Sequence, residues 1–245
     1  MDRLFVLDMP ALKNFEADGK IIEYICDHFS KYNCDKVERT NDLSQYGANK
    51  GIYKVIPISS IEHTEQWLQK NYEKKMQPIE LPYELQPYSP GYQQVSGDYI
   101  LQNNFSAQEY FIKQTNKFKG WRSDQWDDDI NQYIESQATY AIVPRHKIYA
   151  EYRFFIYKDE VIGVTHYSGS PLIFPDTKLI EKMIKEYNKT DSPEAYTLDI
   201  AITEIGTIPL EVHPFVACGL YGFQDLKLLD MWEKGLDWYI KKEGR

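Results

Sequence analysis

Asp199, Glu211 and His213 fall on two short runs of alternating apolar and polar residues, Tyr196 to Thr203 and Thr207 to His213, with Gly206 at the turn between them. In an extended chain successive side chains point to opposite faces, so Leu198, Ile200 and Ile202 share one face and Asp199 takes the other. Leu210 and Val212 alternate with Glu211 and His213 in the same way. The polar side of such a hairpin collects two carboxylates and an imidazole. Two carboxylates suit a hard cation such as Mg²⁺, which takes oxygen ligands and completes its shell with water and phosphate. The same alternation is also what a hairpin with one solvated face produces.

A second group lies upstream. Lys113 ends an apolar run, Tyr110-Phe111-Ile112, and Lys117, Lys119 and Gly120 follow within a short loop. A lysine is a compact charge suited to phosphate oxygens, and glycine permits close backbone approach. With Arg122 these lysines form a basic cluster just before the acidic run Asp127-Asp128-Asp129, a contrast that fits either a solvated surface or a phosphate site. A third group is Tyr140-Ala141-Ile142-Val143-Pro144 followed by Glu151 and Arg153, two residues apart and therefore on one strand face. A carboxylate accepts hydrogen bonds from two neighbouring hydroxyls, as on a ribose. A cross-strand ion pair is the alternative. Tyr167 and Ser168 end the next strand, where a buried tyrosine is the ordinary expectation. No Gly-x-Ser-x-Gly elbow and no cysteine–histidine pair is evident, and His28, His63, His146 and His166 have no partner at ligand spacing.

These side chains need elements to hold them. Residues 3–9 read as a strand, Asp18-Gly19 as the break before a helix carrying Ile21, Ile22, Ile25 and Phe29, and Tyr53 to Ile58 as a strand. Ser59 with Glu62 has the spacing of a capping box for the helix that follows. Four prolines and several tyrosines between Gln77 and Gly97 disfavour long regular elements and mark a boundary. Beyond it the patterns predict a strand at 110–113, a helix over 128–136, a strand at 139–143 and a hairpin of 149–157 with 161–168. A helix over 177–188, the polar hairpin and a last helix over 224–241 complete the order. The expected layout is a β-α domain at 1–76, a Pro/Tyr-rich connection at 77–99 and an α+β domain at 100–245.

The composition narrows the classes further. At 245 residues and 42% hydrophobic content the chain can bury a full core. Its longest apolar stretches are strand-sized, far short of the ~18 residues that span a bilayer, so no membrane segment is expected. A net charge of −9 disfavours nonspecific nucleic-acid binding. Cys26, Cys34 and Cys218 fit neither a disulfide framework nor a four-ligand zinc site, and the start of the chain lacks a secretory pattern, which points to the cytoplasm.

Taken in order, the phosphate lysines, the Ile142-Val143 run, Glu151-x-Arg153 and Asp199…Glu211-x-His213 resemble the ATP-grasp superfamily. Gly219-Leu-Tyr-Gly222 resembles the turn that closes the metal strand in its smaller members, and the length resembles a compact clade of predicted amide-bond ligases. The resemblance implies a two-subdomain ATP-grasp fold with antiparallel sheets behind a small β-α domain, an α+β or α/β protein using ATP and Mg²⁺. It implies Lys113 and Lys119 on the nucleotide phosphates, Ile142 and Val143 at adenine, Glu151 on the ribose and Arg153 beside the reacting phosphate. Lys119 and Arg153 would then be catalytic. Asp199 and Glu211 match the metal positions, and His213 stands where the family usually has Asn. The substrates would be a small-molecule or peptide carboxylate and an amine. Two other readings stand beside it: a nucleotidyltransferase with Lys117 as nucleophile, and an ATP-binding module without turnover.

Overall fold

The computed structural model describes residues 2–33, 35–124 and 129–242. Cys34 and the Asp127-Asp128 part of the acidic run lie outside them. The chain opens with β1 (Asp2–Asp8), α1 (Met9–Asn14), α2 (Glu16–Asn33), β2 (Lys36–Thr40), β3 (Asn49–Lys50), β4 (Tyr53–Ile58) and α3 (Ile61–Tyr72). The sheet order is β2-β1-β4-β3, with β1 parallel to both β2 and β4. Asp18 and Gly19 do not precede the helix as the sequence pattern suggested. They lie in the first turns of α2, where a Cβ on Gly19 would stand 2.1 Å from the Leu12 carbonyl oxygen. The glycine is there to let two helices touch. The helix cap also moves by one residue: Ser60, not Ser59, accepts the His63 amide at 3.2 Å, because the Ser59 hydroxyl is committed to the Asp8 carboxylate.

A 3₁₀ turn at Tyr83–Tyr88 and β5 (Gln93–Ser96) occupy the Pro/Tyr-rich stretch, followed by α4 (Gly97–Asn103), β6 (Tyr110–Gln114) and β7 (Thr139–Pro144). These strands form an antiparallel sheet in the order β5-β7-β6. The helix expected over 128–136 is absent from its described part, which holds only a 3₁₀ turn at Asn131–Tyr133. Side chains compete with the helix there. The Asp129 carboxylate accepts the Asn131 amide at 3.0 Å, and the Tyr140 hydroxyl accepts the Glu135 amide at 2.9 Å.

The remainder is β8 (Ile148–Tyr157), β9 (Glu160–Gly169), α5 (Thr177–Tyr187), β10 (Ala195–Thr203), β11 (Gly206–Pro214) and α6 (Leu228–Lys241). The four strands pair antiparallel in the order β11-β10-β8-β9. Lys158 and Asp159, both at positive φ, make the two-residue turn of the β8–β9 hairpin, whose twist matches that of its strands. One face of this sheet, with Phe154, Ile156, Leu198 and Ile200, packs on Ile180, Met183 and Ile184 of α5. On the other face, Phe155, Tyr157 and Ala195 share a core with Leu229, Trp232 and Leu236 of α6 and with Leu4, Phe5 and Leu68 of the N-terminal layer. That second face is therefore not solvated along β10, all of whose residues are buried. α6 starts four residues later than the apolar pattern suggested, after a turn in which the Asp225 carboxylate accepts the Lys227 amide.

Candidate nucleotide and metal site

On β10 and β11, Asp199 and Glu211 are register partners. A bulge follows them: Ile200 pairs with Pro209, so Leu210 has no partner and is only half-buried, against the expected alternation with Val212. Asp199 is 5% exposed, and β8, the neighbour on its other side, presents Arg153 directly across. The guanidinium grips the carboxylate with two hydrogen bonds of 2.7 Å, and its third nitrogen donates to the Gly219 carbonyl at 3.1 Å. Burial pulls the Asp199 carboxyl above its ordinary range against the opposing pull of Arg153. The fork geometry requires a carboxylate, so we read the pair as ionised. The Tyr221 ring covers the guanidinium at 5.0 Å and stacks on Tyr167 at 4.8 Å. Burial and the neighbouring Asp199 and Glu151 carboxylates push the Tyr167 phenol far up, and its hydroxyl bonds Glu151.

Lys113, on β6 of the other sheet, reaches the same end of the hairpin. Its ammonium lies 2.6 Å from Glu211 and 2.8 Å from Glu80. Burial alone would raise the Glu211 carboxyl, but Lys113 and then His213 hold it below its usual range. Glu80 has no counterpart in the sequence-based expectation. It sits in the Pro/Tyr-rich stretch with no spacing signal, and its carbonyl accepts the Val212 amide at 2.7 Å, which carries it to the site.

The loop after Lys113 turns back on itself: the Gln114 amide donates to the Trp121 carbonyl at 2.7 Å, and Lys119 holds a φ of 52°. A Cβ at Gly120 would stand 2.9 Å from the Gln114 Cβ, so glycine is needed for this tight return. Phe118 packs against His213 at 5.4 Å between ring centroids. Lys119 does not join Lys113. It pairs at 2.5 Å with Glu62 in the first turn of α3, while Lys117 pairs with Glu135 at 3.2 Å.

Ile142 and Val143 lie on β7, with the Ile142 side chain fully buried, so only their backbone groups are free for a ligand. Glu151 is half-buried on β8, opposite Ser168 and on the side of Arg153. His213 departs from the expectation that no cysteine–histidine pair exists. Its Nδ1 lies 3.4 Å from the Cys218 sulfur and 2.8 Å from the Pro214 carbonyl oxygen. Burial opposes the shift, but each partner favours the other's charged form, raising the imidazole and lowering the thiol. Two of the other histidines also have carboxylate neighbours: His63 meets Asp8 at 2.6 Å and His146 meets Glu204 at 3.3 Å. Neither pair is visible at sequence spacing.

Among the described residues no three His, Cys, Asp or Glu side chains form a ready cage for a metal ion. The oxygen donors nevertheless fit Mg²⁺. Register-paired Asp199 and Glu211 present two carboxylates, and this ion is held by one or two such groups with phosphate and water completing its shell.

Sheets flanking a cation-rich hairpin end define a nucleotide-handling α/β fold, and comparison with known proteins agrees. Residues 98–231, more than half of the chain, match the model of an ATP-grasp domain, the second family of its clade, and the chain belongs to that ATP-grasp family. No curated protein matches it by sequence. Among solved structures, D-alanine–D-alanine ligase from Bacillus anthracis complexed with ATP is 13% identical, with 100% of each chain covered and a TM-score of 0.57. The ATP-grasp ligase PsnB complexed with minimal precursor is 10% identical, with 96% of this chain and 99% of that one covered and a TM-score of 0.55. N5-carboxyaminoimidazole synthetase from Staphylococcus aureus is 10% identical over 86% of this chain and 69% of that one, with a TM-score of 0.51. The fold is ATP-grasp, and the general activity that family and fold support is that of an ATP-dependent ligase. No helix among the described residues is long and apolar enough to cross a membrane.

Proposed function

We propose that the protein is an ADP-forming carboxylate–amine ligase that joins a small-molecule or peptide carboxylate to an amine, in the cytoplasm, through an acyl phosphate. The observation that carries this reading is the paired arrangement Lys113–Glu211 and Arg153–Asp199 at one end of the β10–β11 hairpin. Two cations beside two carboxylates are what transfer of a γ-phosphoryl group to a carboxylate needs, because that step moves negative charge without requiring a nucleophilic side chain. Lys113 would leave Glu80 and Glu211 for phosphate oxygens, and Lys119 would leave Glu62 for the same phosphates. Arg153, locked by Asp199 and Gly219, would face the moving phosphoryl group. Backbone groups of Ile142 and Val143 would meet adenine, and Glu151 the ribose. Mg²⁺, held by Asp199 and Glu211 with His213 beside them, would neutralise phosphate charge when bound. In this layout residues 1–76 form the preceding domain and 100–245 the grasp.

The test is a screen of amino acids and peptides as carboxylate and amine, with ATP and Mg²⁺. ADP and phosphate should appear in step with a product of the joined mass. Stoichiometric AMP, or a stable AMP adduct on Lys117 after incubation with α-labelled ATP, would replace this reading with nucleotidyl transfer. ATP binding without turnover on any pair would leave a binding module.

A further inference from the structure

The reaction proposed above lacks one group: Lys113, Lys119 and Arg153 are donors, and none of them takes a proton. An amine that attacks an acyl phosphate must lose one. The described residues contain one assembly suited to that task outside the hairpin, at the carboxyl ends of the parallel strands β1 and β4. Asp8 ends β1 and is 1% exposed. Its carboxylate accepts from the Ser59 hydroxyl just after β4, and its second contact, at 2.6 Å, is Nδ1 of His63 in the first turn of α3. The hydrogen bond assigns the proton of a neutral imidazole to Nδ1, which leaves Nε2 as an acceptor. The His63 side chain is 47% exposed, so that nitrogen is open to a ligand.

Placement supports the assignment. In open parallel sheets ligands bind in the crevice outside the carboxyl ends of the strands. Glu62, the residue before His63, holds Lys119 of the glycine loop at 2.5 Å, and Phe118 of that loop packs on His213 of the hairpin. His63 thus stands where the N-terminal layer meets the loop that covers the hairpin end. A purely structural role for Asp8 is already met by the Ser59 hydroxyl and the Ala11 amide, so the half-exposed imidazole is not needed to satisfy it.

We propose that His63, oriented by Asp8, is the general base that deprotonates the attacking amine; the inference rests on the ligase reading. The nitrogen lone pair of a primary amine forms the new C–N bond at the acyl carbon. The C–O bond to phosphorus breaks, its electron pair leaves on phosphate, and the N–H proton passes to Nε2 of His63. The imidazolium, stabilised by the Asp8 carboxylate, then gives the proton to solvent. Asp8 is a positioning residue.

The experiment uses the full chain with a carboxylate and amine from the screen, and compares the amine with hydroxylamine, which is unprotonated at neutral pH and needs no base. His63→Ala should form hydroxamate within a few-fold of the wild-type rate while amide formation falls roughly 10²–10⁴-fold, the usual contribution of a positioned base. Added imidazole should restore part of the amide rate, and His63→Gln, which can still bond Asp8, should be as slow as His63→Ala. Amide formation at wild-type kcat in His63→Ala would overturn the proposal, as would an equal loss of hydroxamate and amide, or a raised KM with kcat unchanged. Wild-type protein that yields neither ADP nor hydroxamate with any carboxylate would instead remove the ligase reading, and this inference with it.

Discussion

Two ion pairs in this molecule have the same formal chemistry and opposite surroundings. Arg153 and Asp199 keep 9% and 7% of their side chains exposed, whereas Lys119 and Glu62 keep 68% and 50%. The first pair sits on adjacent central strands, where the backbone sets the partners' separation before either side chain chooses a rotamer. The second joins a loop to a helix in another part of the fold, and water competes for both ends. A ligase of this design would have a preorganised half that needs no rearrangement and a covering half that exchanges Glu62 for phosphate. Burial separates the two, since charge does not.

The contrast is tested hardest at Asp199. Asp199→Ala strands the Arg153 guanidinium in a buried site, so unfolding by denaturant should show a loss of about 3–5 kcal/mol, together with loss of turnover. A loss below about 1 kcal/mol would mean that the site is wetter than its burial indicates, and the distinction would collapse. Glu151 is intermediate, half-buried and bonded by Tyr167. Glu151→Ala should weaken ATP binding roughly tenfold to a hundredfold by calorimetry, or about 1.5–3 kcal/mol, the range for a hydrogen bond to a charged group. Unchanged affinity would move the ribose elsewhere. Lys119→Ala should change stability least, by under about 1 kcal/mol in the same denaturant assay, because its partner is an exposed glutamate. Its effect should fall on turnover. A variant that unfolds early yet turns over normally would reverse the roles assigned to the two pairs.

Much of this was legible in the chain because it is local. The β8–β9 hairpin and α5 follow from periodicity within a dozen or so residues, and that periodicity alone puts Glu151 and Arg153 on one strand face. The misread elements were decided by close competitors. Ser59 and Ser60 are equally good caps, and only the tertiary contact with Asp8 removes the first. Around 129–136 side-chain hydrogen bonds displaced a helix that the apolar spacing allowed. The bulge at Leu210 depends on how β11 pairs with β10, which the β11 residues by themselves do not encode.

The candidate site divides along the same line. Alternation and order along the sequence determined which side chains could share a face, since strand geometry repeats every second residue whatever surrounds it. Whether that face would be wet or buried was decided by α6 and the N-terminal sheet, which close over it from distant parts of the chain. So were the partners. Arg153 finds Asp199 across 46 residues, Lys119 finds Glu62 across 57, and Lys113 finds Glu211 across 98. Side-chain type sets what an ion can do. Its desolvation and its counter-charge depend on elements brought together only when the sheets pack.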